Sequence, residues 1–282
     1  MPHLKVFQSL WGMDGLPGID LDGDVEGALD RIVAAGFDGV GVNLARTARA
    51  EATARRMADE GLSWEAQAFV RDASDLARSL DQALALSGVD HVNVQVANIA
   101  PSVEAAIGLM ATLLAVSKDC PIPVFYETHR GRLTNDLFWT VDLLDAFPDL
   151  VLTGDLSHYV TAHEMYLPIE PHLGQRMERV IDRCGAFHLR IAGSHQVQIP
   201  VEAPSSAAWR AVFEGWWRRG IDAWLARADA DDSLPIVCEL GPPPYAITDP
   251  QGREMTDRWT EAVALKDLAR RLFAQGRDHP TS

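Results

Sequence analysis

Several things are scarce in this chain. There are three cysteines, Cys120, Cys184 and Cys238, an odd number at wide spacings with no Cys-x-x-Cys pair. That excludes a disulfide framework and a thiolate metal knot, and it favours a reducing compartment. No apolar run approaches the ~18 residues of a membrane span. No basic-then-apolar leader opens the sequence, so a cytoplasmic location without a membrane partner is expected. Positive charge is in deficit: 25 Lys and Arg stand against 40 Asp and Glu, a formal net charge of −15 and a pI near 4.9. An acidic surface of that kind disfavours nucleic acid and anionic lipid as partners, and simple solubility accounts for it. No Gly-x-Gly-x-x-Gly follows the first apolar stretch or occurs elsewhere, which weakens a dinucleotide-binding open sheet.

What is present is an ordinary globular mixture, 47% hydrophobic and 23% charged over 282 residues. Its order is strand then helix, repeated. Strands are expected at Leu4–Leu10, Phe37–Val42, Trp64–Val70, His91–Val96, from Val124, at Leu150–Asp155, Ala186–Ile191 and Leu234–Glu239. Between them lie helical segments, each with a starting or stopping signal. Asp24 opens Val25–Ala35 and Gly36 ends it; Thr47–Glu60 closes at Gly61; Ser74–Leu86 closes at Gly88. A helix starts at Pro101-Ser102 and runs to about Val116, and another, capped from Thr134-Asn135-Asp136, runs through Phe147. Leu173–Arg183, an aromatic helix Ala207–Ala228, and Asp257–Ala274 stopped by Gly276 complete the series. Eight such units over roughly 250 residues fit a closed (β/α)8 TIM barrel, a single domain spanning residues 1–282.

In a barrel the C-terminal strand ends converge on one mouth. The fifth strand, Val124-Phe125-Tyr126, ends in Glu127 and His129, which share a face by strand alternation. The sixth ends in Asp155, with His158 just beyond. The seventh presents His188 and Arg190 on one face, and the eighth ends in Glu239, with Cys238 pointing away. Each carboxylate alone reads as a helix cap or a solvated loop residue. Four ionisable groups in register on consecutive strands read as a ligand set: Glu127, Asp155, His188 and Glu239. Three carboxylates and one imidazole suit one divalent cation, Mn2+ first, with Mg2+ or Co2+ as alternatives. Arg190 offers a fixed guanidinium for a sugar oxygen or carboxylate, or neutralises Asp155.

This constellation resembles the xylose-isomerase-like TIM barrels, a superfamily of sugar isomerases, epimerases, dehydratases and endonuclease IV. Glu127, Asp155, His188 and Glu239 match that family's metal ligands in order and strand. Asp155-Leu156-Ser157-His158 resembles its strand-six motif, whose histidine contacts substrate. Glu127-Thr-His-Arg-Gly-Arg132 and Gln196-Val-Gln198 resemble a sugar-phosphate isomerase/epimerase subgroup. The resemblance implies an enediolate mechanism on a sugar or keto sugar. Glu127 and Glu239 would be its proton-transfer pair, His129 an additional acid or base, and His158, Arg190, Gln196, Gln198 and Trp11 substrate contacts.

The second reading is a lyase or dehydratase that eliminates a β-leaving group from a 3-keto sugar or keto glycoside. A third is a barrel without chemistry that serves as a subunit, which the intact ligand set disfavours. An endonuclease IV-like enzyme is disfavoured by the charge and by the missing further ligands. Trp11, Phe69 and Tyr245 are expected to line the pocket, with Pro242–Pro244 as a stiff rim. In the aromatic helix Trp209, Phe213, Trp216 and Trp224 recur near helical spacing, with Trp217 beside them, and they read as core before oligomer surface. A homo-oligomer or a small partner subunit remains an allowed partner. No cluster of residues stands out as a phosphate receptor, so an unphosphorylated polyol or keto sugar is expected.

Overall fold

A computed structural model describes residues 1–278. Eight parallel strands close into a barrel in strict sequence order: β1 His3–Ser9, β2 Gly39–Asn43, β3 Ser63–Val70, β4 Val89–Val96, β5 Val124–Glu127, β6 Leu152–Gly154, β7 Cys184–Leu189 and β8 Ser233–Cys238. The register of β1 against β8, for example Val6 with Ile236 and Gln8 with Cys238, closes the ring. Closure in this order is what a parallel sheet with right-handed helical returns produces.

The helices α1 Val25–Ala34, α2 Thr47–Glu60, α3 Ala73–Leu84, α4 Val103–Ser117, α5 Leu137–Ala146, α6 Ser157–Ala162, α7 Pro171–Ile181, α8 Ala207–Leu225 and α9 Arg258–Asp278 surround the sheet. Their starts are chemical. Asp24, Asp72, Ser102 and Asp136 each accept a backbone N–H of the first turn, which would otherwise be unpaired.

Alternation within the strands sorts side chains between two buried faces. On β4, Val92, Val94 and Val96 pack in the shell under the helices, while His91, Asn93 and Gln95 enter the barrel. On β3, Trp64, Ala66, Ala68 and Val70 join that shell, and Glu65 and Gln67 point inward. The outer face is the main apolar core. The interior is aromatic toward the lower end, where Phe7 and Phe125 flank His91, and polar toward the mouth.

Four expectations are corrected. Strand five ends at Glu127, so His129 belongs to the following loop and strand alternation does not place it. Strand six is shorter than Leu150–Asp155, and α6 starts where a loop was expected. In α8 the buried aromatics are Phe213, Trp217 and Trp224, with Trp216 only half-buried, so the apolar stripe runs one residue away from the expected one. The last helix runs through Gly276 instead of stopping there. A Cβ at residue 276 would lie 2.9 Å from Leu225 Cδ1 and from Asp222 Oδ1, so this glycine permits close contact with α8.

Candidate active site

The strand ends of β5 to β8 deliver their side chains to one point. Glu127, Asp155, His188 and Glu239 are all buried, and one ligand atom from each lies within 4.8 Å of all the others. A second grouping at the same limit is Glu127, His129 and His158. Each member of the first set is held by a neighbour. Asn93 and Gln95 donate to Glu127 at 2.5 and 2.9 Å. The Ser157 backbone N–H and hydroxyl both donate to Asp155 Oδ1, while the buried Oδ2 has only the longer approaches of His158 Nε2 at 3.4 Å and Arg190 Nη1 at 3.5 Å. Arg190 donates to Glu239 Oε2 at 2.7 Å and to its carbonyl at 2.9 Å.

His188 is oriented from below. Its Nε2 lies 2.9 Å from Glu65, leaving Nδ1 directed at Glu239, 3.2 Å away, and Glu127, 3.9 Å away. Glu65 also meets His91 Nε2 at 2.9 Å, and His91 Nδ1 meets Asp90, itself paired with Lys5. A buried chain of alternating charge thus runs from the barrel floor to the mouth. Such outer partners fix a ligand histidine's ring and tautomer.

The electrostatics show an excess of negative charge. Burial pushes Glu127 up to about 8; Glu239 and Asp155 add to this and His188 opposes it. Burial likewise leads in raising Asp155, against the pull of Arg190. Burial also works against charge on Glu239, but His188 and Arg190 outweigh it and hold that carboxyl low. Burial opposes a charged His188 as well; Glu65, Glu239 and Glu127 overcome it and keep the imidazole protonated well above its usual range. Three crowded buried carboxylates are the environment a divalent cation relieves. The donors are hard oxygens plus one imidazole without thiolate, so this buried cluster could hold such an ion.

His129 lines the cavity above this cluster. Its Nδ1 lies 2.5 Å from the Arg130 carbonyl, which can only accept, so the proton is on Nδ1 and Nε2 has a free lone pair. Burial lowers this histidine to about 4. His158 is packed against it, with ring centroids 3.8 Å apart. Arg130 donates to His158 Nδ1 at 2.8 Å, which places the His158 proton on Nε2, 3.4 Å from Asp155 Oδ2. His158 is fully buried and does not reach the cavity wall.

The cavity has a volume of about 460 Å³. Trp11, Phe69, Tyr245, Arg190 and Glu239 lie on its wall, as the sequence reading expects. Trp11 meets Tyr245 edge-on at 5.1 Å, and Arg190 sits 4.8 Å over the Tyr245 ring. Gln196 and Gln198 are not brought to the wall. Gln196 is exposed in the turn where its carbonyl accepts from Gly193 N–H. Gln198 spends its amide on both backbone groups of Gly241, at 2.7 and 3.0 Å, tying the loop after β7 to the loop after β8.

Sequence reading missed Glu65, Gln67, His91, Asn93 and Gln95 as parts of the site. Their signal was the polar half of the alternation on β3 and β4, in strands buried on both faces. It also missed Arg46, Arg49 and Arg132, which line the same cavity from the loop after β2, the first turn of α2 and the loop after β5.

No protein-family model and no curated protein matches the sequence. Solved structures do match. They share the closed (β/α)8 barrel, and one of them is described as a xylose-isomerase-like TIM barrel. A protein so described from Mycobacterium smegmatis, in complex with magnesium, matches with a TM-score of 0.61 and 14% identity over 96% of this chain and 97% of its own. D-psicose 3-epimerase with D-tagatose, from Clostridium cellulolyticum H10, matches at 0.59 and 12% identity over 96% and 99%. The probable 3-DHS dehydratase AsbF of Bacillus anthracis matches at 0.51 and 13% identity over 83% and 92%. Identities this low carry the architecture and leave the reaction to the site itself.

Proposed function

We propose that the protein is a divalent-metal-dependent isomerase or epimerase of a sugar or keto sugar, working by proton transfer at a carbon next to a carbonyl. The observation that carries the reading is the buried convergence of Glu127, Asp155, His188 and Glu239 within 4.8 Å at the mouth of a barrel. Those four residues would hold the ion. When bound, it would supply Lewis acidity toward substrate oxygen and so favour loss of the proton from the carbon beside the carbonyl.

The protein's own groups do the rest. Glu127 and Glu239 stand on strand ends separated by β6 and β7, so they can flank a substrate and exchange its proton from two sides. Arg190, held by Glu239 and with Nη1 3.5 Å from Asp155 Oδ2, lies on the cavity wall, where its cation can meet substrate oxygen as negative charge develops. Asn93 and Gln95 keep the Glu127 carboxylate oriented. Trp11 and Tyr245 give the sugar an apolar wall.

A second reading, elimination from a 3-keto sugar or keto glycoside, is favoured by one specific feature. His129 presents an unprotonated Nε2 at the cavity wall, a third group able to move a proton to or from a neighbouring substituent. Both readings begin with the same C–H cleavage. Incubating the Mn2+-loaded protein with a panel of keto sugars in D2O tests that shared step: deuterium should appear α to the carbonyl by NMR. Product analysis then separates an epimer or isomer from an eliminated product. Metal-loaded protein that exchanges no substrate in a panel covering neutral, phosphorylated and carboxylated ketoses sinks the enolisation reading.

A further inference from the structure

We infer that the substrate carries an anionic group, a phosphate or a carboxylate, remote from the reacting carbons and seated by Arg46, Arg49 and Arg132. The inference rests on the enolisation reading for where the reacting carbons lie. The seat itself rests on the cavity.

In a chain with a net charge of −15, this cavity gathers four guanidiniums. Arg190 is committed to Glu239. The other three come from elements that carry none of the four clustered ligands. Arg46 caps α2, and Arg49 lies in that helix's first turn. Arg132 follows β5. Besides Glu239, which Arg190 engages, two carboxylates share the wall, Asp14 and Asp22. Asp22 pairs with Arg49 and is itself largely exposed. Among the described residues, neither Arg46 nor Arg132 has a carboxylate within ion-pair distance, so three cations face two acids of which one is already engaged.

Arg132 is held in place rather than waving in solvent. Its Nε donates to Gln95 Oε1 at 3.1 Å, and its guanidinium lies 5.6 Å over the Phe69 ring. The Gln95 amide in turn donates to Glu127. One side chain therefore separates this cation from the proton-transfer pair, a spacing suited to a single small molecule with its reacting end at Glu127 and its charged end at Arg132. Arginine is the residue whose planar fork matches phosphate and carboxylate oxygens, and hydroxyls of a neutral sugar require no such charge. The α2 N-terminus adds positive potential on the same side: Arg46 provides no side-chain cap, and the first turn contains no acid.

This differs from the expectation of an uncharged sugar. The three arginines are scattered between residues 46 and 132 and are assembled only by barrel closure.

The test is direct binding to the Mn2+-loaded protein by calorimetry, using glycerol, glycerol 3-phosphate and glycerate as probes that cannot enolise. At least one anion should bind while glycerol does not. Arg46→Gln and Arg132→Gln should each weaken that anion about tenfold, the scale of one lost charge-assisted contact. The phosphate and carboxylate probes identify which group the seat prefers. Equal binding of anions and glycerol, or full anion affinity in both variants, overturns the inference. Deuterium exchange with D-ribulose and ribulose 5-phosphate separates the two readings. Rapid exchange with the neutral ketose, together with neither anionic probe bound in preference to glycerol, removes the anion seat and leaves enolisation standing. Arginine-dependent anion binding with no exchange on any ketose does the reverse.

Discussion

Glu239 has the most demanding position of any single residue. It accepts from Arg190, faces His188 and comes within 3.5 Å of the Gln67 amide while closing the ligand cluster. Glu239→Gln keeps the shape and removes the charge. Turnover should fall by about 10²–10⁴-fold, the usual worth of a positioned acid or base, and metal affinity should drop, with the circular dichroism spectrum retained. Near-normal turnover would take Glu239 out of the site. Glu127 sets the pH behaviour. Its carboxyl is pushed up to about 8, above the ordinary 4.5, so the metal-free folded protein holds a proton between those values that the unfolded chain has lost. That contribution to stability is complete below pH 4.5 and disappears as pH rises through 8. A cation must displace the proton. Binding at pH 7 should release protons from both Glu127 and His188, more than one per ion, measurable by calorimetry in two buffers of different ionisation enthalpy, and affinity should climb with pH through and beyond about 8. His129→Asn decides between the two donor groupings. It should lower turnover with the metal still bound; loss of the metal would make the Glu127, His129 and His158 grouping the true one.

At the level of the element, the barrel depends on helices that come very close to strands. Gly220 of α8 sits on Phe187 of β7: a Cβ there would fall 2.2 Å from the ring, and Phe187 is fully buried. Gly220→Ala gains up to ~1 kcal/mol of helix propensity but must move a packed aromatic. Overpacking costs about 1–3 kcal/mol, so a net loss of about 1–2 kcal/mol is expected in urea unfolding. Phe187→Leu in the same chain should recover part of it. An unchanged or raised urea midpoint for Gly220→Ala would show that the ring yields freely. Elements were the most legible level of the sequence, because caps such as Asp24 and stops such as Gly36 and Gly61 act within one turn of chain. Strand five was misjudged at its end for the opposite reason. The ladder to β6 ends with Glu127 opposite Thr153, and how far it runs depends on pairing with a neighbouring strand rather than on residues 124–130 alone.

For the whole molecule the ligand set is a question of charge balance. Closing the barrel brings Glu65, Glu127, Asp155 and Glu239 together with only His188, His91 and Arg190 as buried cations nearby. An added divalent ion should therefore stabilise the fold as well as the chemistry. At 100 times its dissociation constant it contributes about 2.7 kcal/mol. For a domain near this size that raises Tm by roughly 5–10 °C. Chelation should reverse the rise, and Asp155→Ala should abolish it; a metal-independent Tm in the unaltered protein would count against the cluster as a cation site. Among the described residues no helix is long and apolar enough to cross a membrane.

The order of eight strands and their helices, and the four ionisable groups at the last strand ends, were determined by the sequence alone. Periodicity, capping and strand-end position are local properties, and they survive without coordinates. Only tertiary structure decided that Asn93 and Gln95 hold Glu127, that Glu65 orients His188, and that Gln198 bonds the backbone of Gly241. It also decided that Arg46, Arg49 and Arg132 share one cavity. The hydrogen bonds among those relations join residues 32 to 123 positions apart. They exist because ring closure makes neighbours of side chains that no local pattern links.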